Sequence, residues 1–269
     1  MMFSKSFFPM LAATSLGVAL LSPVESRAHF LLAHSGDAMI ERPGERPVKL
    51  IFWHPFENGH AMELARPQAF YMVHHGARTD LLDTLEPISF DGPENVASAF
   101  QGSIPVRRSG DYVLVVEPQP YFEASEELYI QQFTKVVLNR SGLPTDWDQQ
   151  VGLPAEIEPL NKPYNVIAGS TFTGRVLSDG VPVAGAEIEI EYMAAEPQLD
   201  GPGAGPASVS PPPGGAVVAL SDDNGYFTFG IPRAGWWGFA ALGVGPQTTH
   251  DGKELSQDAV LWVRAHEME

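Results

Sequence analysis

Short runs rich in Val, Ile, Phe and Tyr, cut apart by Gly, Pro, Asn and Asp, follow one another from Arg46 to the end of the chain, and no long stretch carries a 3.6-residue hydrophobic period. β-Branched and aromatic side chains suit a pleated surface, and Gly and Pro punctuate it. The pattern therefore predicts an all-β chain. Strands are expected over 47–54, 68–75, 86–90, 98–106 and 110–118, while 126–140, "EELYIQQFTKVVLNR", reads equally as a short helix or a strand. Four prolines fall between 141 and 170 without any sustained period. A linker over 141–165 is expected to separate a first β-sandwich, 29–140, from a second, 166–269.

In the second half "STFTGRVLSDGVPVAGAEIEIEYM" (170–193) alternates apolar and polar residues around Asp179-Gly180, which predicts strand, turn and strand. The Pro/Gly-rich stretch 194–215 lacks the side chains to bury a core and is expected to be a mobile surface insertion. Further strands are expected over 217–244, with "DDNG" as a hairpin turn, and over 257–265. Trp236 and Trp237 should face opposite sides of a strand, one buried and one packed under a loop. Through "FTGRVLSDGVPVAGAEIEI" and "SDDNGYFTFGIPRAGWW" this half resembles the transthyretin-like, carboxypeptidase-regulatory-like group of β-sandwiches. That resemblance implies architecture more than chemistry.

The start of the chain reads as an export signal over 1–28: Lys5, an apolar run from Phe7 to Leu21, then Ser26-Arg27-Ala28. The apolar run is short for a bilayer span, and no later run is long enough. An exported protein without a span after cleavage is expected, periplasmic in a Gram-negative cell. The chain has no cysteine, so disulfides and thiolate metal sites are excluded. A formal net charge of −17 argues against nucleic acid or anionic lipid as a partner and is compatible with cations.

Cleavage after Ala28 would make His29 the N-terminus, where α-amine and imidazole can chelate one metal ion together. Cleavage after Ser26 would instead give Arg27-Ala28-His29, the amino-terminal copper and nickel motif. Either product suits nickel(II) or copper(II); the competing view is that a histidine near a cleavage site is coincidence. Six of the eight histidines nevertheless lie within the first 75 residues. In "KLIFWHPFENGHAMEL" Pro55 should end the strand at His54, and Asn58-Gly59 should turn His60 back toward it. His74 and His75, as strand neighbours, should point to opposite faces, so at most one joins, His75 being the candidate. His34 is a further candidate ligand. Glu57, Glu63 and Met62 could support the ligands, Met62 competing with a role as core filler and the glutamates with one as solvated surface.

"PGERPVKLIFW" leading into "HPFENGHAMELARPQAF", the early "AHFLLAHSG" and "SGDYVLVVEPQPYFEASEELYIQQFTKVVLNRSG" resemble the NikM-like periplasmic component of cobalt and nickel ABC-type transport systems. The resemblance implies capture of nickel(II), or cobalt(II), and delivery to a membrane transporter subunit of the energy-coupling-factor type, with His29, His54 and His60 as the residues that carry over. Two other functions compete: a periplasmic copper(II)-binding protein using the same nitrogens, and a structural or adhesive β-sandwich without metal. Catalysis finds no motif, because a nucleophile elbow, phosphate loop, H-E-x-x-H and dinucleotide fingerprint are all missing from the sequence.

Overall fold

The computed structural model describes residues 29–212 and 217–268, so the signal peptide expected at 1–28 lies outside the described residues. The first half contributes β1 (Phe30–His34), β2 (Met39–Ile40), β3 (Gly44–Trp53), β4 (Ala61–Met62), β5 (Ala69–His74), β6 (Ala77–Asp80), β7 (Glu86–Asp91), β8 (Val96–Val106), β9 (Gly110–Glu117), β10 (Tyr121–Glu123) and β11 (Leu128–Arg140). The second half adds β12 (Ala155–Pro159), β13 (Val166–Ile167), β14 (Thr171–Ser178), β15 (Val181–Pro182), β16 (Glu187–Tyr192), β17 (Val217–Leu220), β18 (Tyr226–Gly230), β19 (Gly235–Ala241), β20 (Thr249–His250) and β21 (Lys253–His266). The chain is all-β, and among the described residues the helical content is one 3₁₀ turn, Leu82–Thr84. No helix of the described residues is long and apolar enough to cross a membrane.

A twelve-stranded sheet, ordered β17-β16-β19-β21-β11-β9-β5-β6, runs through both halves. The first half's own sheet, β1-β3-β8-β7 with β4, packs on it as one sandwich, and β12-β14-β15 with β18 packs on it as the other. The join is β11, which lies parallel to β21 from Tyr129 opposite Leu255 to Val136 opposite Trp262. A strand covered on both faces cannot show period-two alternation. That coverage settles the ambiguous 126–140 run as a strand, since Ile130 through Asn139 are all buried.

Three expectations about connections are corrected. The linker expected over 141–165 carries β12, which pairs with β14 from Ala155 opposite Ser178 to Pro159 opposite Gly174. The hairpin at Asp179-Gly180 closes on the two residues of β15, after which β16 leaves for the large sheet beside β19. The "DDNG" turn is built as expected, with the Asp222 carboxylate accepting the amides of Asn224 and Tyr226, but it joins β17 and β18 in different sheets and closes no hairpin.

The 194–215 insertion is anchored rather than loose where it is described. Lys49 Nζ donates to the carbonyls of Gln198, at 2.6 Å, and Gly201. Gly203 bridges to Asp91, and Ala194 and Ala195 are buried. Backbone carbonyls and one lysine do here what apolar side chains could not. Trp236 and Trp237 are both buried, their indole N–H groups donating to the carbonyls of Gly36 and Arg233.

Candidate metal site

β1 lies antiparallel to β3, with Phe30 opposite Trp53 and Leu31 opposite Phe52. The next step along this ladder sets His29 opposite His54, and their ring centroids are 4.6 Å apart. The large sheet holds the start of β1 from below. The Gln132 side chain accepts the Leu31 amide at 2.8 Å and donates to the His29 carbonyl at 2.6 Å and to Asp258 Oδ2 at 3.3 Å. Trp262 Nε1 donates to the Leu31 carbonyl at 3.0 Å. Gly238 on β19 leaves room for Phe30, since a Cβ there would meet the Phe30 ring at 2.8 Å.

The loop after β3 is fixed from both sides. The Gly59 amide donates to the His54 carbonyl, and Trp53 Nε1 donates to the Gly59 carbonyl at 2.9 Å. Asn58, at a φ of 51°, supplies the turn that "NG" predicts. From the second half, the Ala194 amide donates to the Pro55 carbonyl at 3.1 Å, and Glu191 accepts the Phe56 amide at 3.3 Å. Burial drives the Glu191 carboxyl well above the usual range, against the Phe56 hydrogen bond and with help from the neighbouring Glu57 and Glu189.

His29 Nε2 faces Glu123 Oε2 at 3.1 Å. Burial pushes the Glu123 carboxyl up, but hydrogen bonds from Ser125 and from His29 outweigh it, so its carboxyl is held below the usual range and stays ionised. An ionised carboxylate accepts, so Nε2 carries the proton and Nδ1 is left as the lone-pair nitrogen on the side of the backbone nitrogen. A carboxylate on the outer imidazole nitrogen is the ordinary way a metal-ligating histidine is oriented. Beside His29 lies a cavity of about 190 Å³ lined by Gln132, Glu189, Ser256 and Asp258 and reaching exposed Glu126 at its rim. Leu128, Ile130 and Leu242 complete its walls, and its charged side chains are carboxylic acids, with no lysine or arginine among the lining residues.

Residues 26–245 match the family described as a domain of unknown function (DUF4198). The chain belongs to this family. Among curated proteins none matches the chain. Among solved structures, the chain is similar to the D0-D1 domain of Intimin, at 11% identity over 88% of this chain and 97% of that one with a TM-score of 0.21. It is also similar to the D00-D0 domain of Intimin, at 14% identity over 89% and 100% with a TM-score of 0.22. A third similarity is to BcpA, the major pilin subunit of Bacillus cereus, at 11% identity over 90% and 69% with a TM-score of 0.20.

Within this DUF4198 domain the histidines expected to converge do so only in part. His29 and His54 meet; His60 is exposed, and among the described residues no ring contact links it to His54. His34 stands five residues beyond His29 on an extended strand, roughly 16 Å along it. It packs edge-on against Trp236 near Lys49 and Arg264, a cationic setting unsuited to a metal ion. His75 is not on a strand: its φ is 50°, and its ring bonds the Ser109 carbonyl at 3.0 Å. That puts it beside Gly110, which pairs with Arg140 on β11, whereas His29 is tied to Gln132, so roughly 25 Å of strand separates them. The turn also brings the His74 and His75 rings within 4.3 Å of each other rather than to opposite faces.

The supporting residues are corrected too. Met62 is core, on β4 opposite Phe52. Glu63 is turned to the Ser98 amide at 2.9 Å, and Glu57 is exposed. The residues that do surround His29, namely Glu123, Gln132 and Asp258, lie 94 or more positions away in sequence and had no local signature. A weak signal existed in "QDAVLWVRA", where one acid leads an apolar strand: Asp258 is buried, and burial raises its carboxyl against hydrogen bonds from Ser256, Gly243 and Gln132.

Proposed function

We propose that the mature chain binds a nitrogen-preferring divalent metal ion through the α-amine and Nδ1 of His29 together with His54, and hands it to a partner. Support comes from one juxtaposition: two imidazoles 4.6 Å apart, one of them with its outer nitrogen held by Glu123. Among the described residues no group of three or more His, Asp and Glu side chains is arranged to hold a metal ion; in this reading the third donor is the backbone amine that cleavage after Ala28 would release. A shell of one amine and two imidazoles leaves positions free for exchange onto a partner. The resemblance to nickel and cobalt import components favours nickel(II), with cobalt(II) as a second cargo and an inner-membrane importer as the recipient. Copper(II) is the ion such nitrogens hold most tightly in absolute terms.

Calorimetric titration of nickel(II), cobalt(II) and copper(II) into the metal-free mature chain tests the reading. Saturable binding of one equivalent is expected, weaker in acid because every donor must be deprotonated. Glu123→Gln should weaken binding about 10- to 100-fold, and His54→Ala, which removes a ligand outright, should weaken it further. Binding indifferent to both changes would leave the second reading, a structural or interaction sandwich without metal. That reading is favoured by the lack of a three-side-chain cluster among the described residues.

A further inference from the structure

A second cavity, of about 140 Å³, opens where the chain from Leu64 passes the β9–β10 connection. Its walls are Leu31, Phe52, Leu64, Tyr121 and Ile130, and Ala65 sits exposed at its edge. Phe52 and Tyr121 stand edge to face, 5.4 Å apart at 88°. The floor is rigid: Leu31 and Phe52 are register partners on β1 and β3, and Gln131 holds the connection by donating to the Pro118 carbonyl at 2.8 Å. The space is close to the roughly 150 Å³ that accepts one benzene-sized ring in an apolar cavity.

The wall is not wholly apolar. Gln119 and Gln132 line it with their amides engaged by Gln68 and by the start of β1, and Glu63 lines it with one oxygen fixed by the Ser98 amide at 2.9 Å. The Ser98 side chain, and after it this amide, hold the Glu63 carboxyl below its usual range, so it is negatively charged at neutral pH. An aromatic box with one fixed carboxylate at its edge selects a flat ring that carries a positive or N–H donor group. We propose that this pocket binds a single aromatic ring bearing an amine or other N–H donor, the ring between Phe52 and Leu64 and the donor toward Glu63. The pocket shares Phe52 with the His29 surroundings, the two rings being 5.8 Å apart, but the proposal needs no metal.

The probe is benzylamine, titrated into the metal-free mature chain and followed by protein NMR shifts, with benzyl alcohol as the uncharged control. Saturable binding at low-millimolar concentration is expected, with shifts centred on Leu31, Leu64 and Tyr121. Ala65→Trp, a change at an exposed position that leaves the core intact, should weaken it about tenfold or more by filling the mouth. Glu63→Gln should weaken benzylamine about two- to fivefold, a modest effect because the carboxylate is exposed, and leave benzyl alcohol unchanged. Absence of saturation, equal affinity for amine and alcohol, or indifference to Ala65→Trp would each overturn the proposal.

Discussion

Replacing Glu156 by Ala is expected to cost about 3–5 kcal/mol of folding stability. Glu156, on β12, and Lys135, on β11, form a buried pair at 2.6 Å. The same carboxylate accepts the amides of Val151, Gly152 and Leu153 at 2.9, 3.0 and 3.2 Å. Removing it strands an ammonium in the interior and orphans three backbone donors together. Lys135→Met should cost less, because the three amides still satisfy Glu156 and the methionine fills the lysine's path. Combining it with Glu156→Leu should recover part of the loss, since no buried ammonium then remains. Urea denaturation of the three variants separates these cases. A Glu156→Ala loss under about 1 kcal/mol would mean that the pair does not clamp the large sheet to its neighbour.

His34 should make the protein acid-sensitive. Burial, then the charges of Arg264 and Lys49, hold its imidazole down from 6.5 to about 4. The unfolded chain therefore takes up a proton near pH 6.5 that the folded chain refuses until about 4. Between those values the unfolded state binds more protons, so stability falls as pH falls through that window and levels off below it. The gap corresponds to about 3 kcal/mol. His34→Phe keeps an aromatic edge against Trp236 and has no proton to take up. It should flatten the fall in denaturation free energy between pH 6.5 and 4, whereas an unchanged slope would assign the acid sensitivity to other groups.

Much of the fold was legible because strand-forming runs bounded by Gly and Pro need only local chemistry: β3, β5, β7, β8 and β9 lie within a few residues of the expected spans. What failed was anything decided by the second layer. "AEIEIEY" alternates as if Glu189 and Glu191 faced water, yet both are buried, Glu191 under the loop after β3 where it accepts the Phe56 amide and Glu189 in the wall of the cavity beside His29. The 141–165 segment looked like a linker because prolines mask a five-residue strand whose partner, β14, comes later. At the proposed metal site the histidines were visible as residue types, and the His54 loop as turn chemistry. The pairing of His29 with His54 rests on a cross-strand register, and Glu123 reaches His29 from another strand altogether. His34 was drawn in by proximity in sequence, which along an extended strand is distance in space, and His75 by the clustering of histidines in the first 75 residues, although the fold sets it in a turn beside Ser109.

The most direct test of the metal assignment is electron paramagnetic resonance of the mature chain, beginning at His29, loaded with one equivalent of copper(II) as a probe of the donor set. The expected spectrum shows hyperfine coupling to the amine and both imidazole nitrogens, simplifies when His54→Ala removes one, and collapses when an added residue before His29 converts the amine to an amide. A spectrum untouched by both changes would contradict the site, and with it metal capture by this DUF4198 domain at the junction of its two sandwiches.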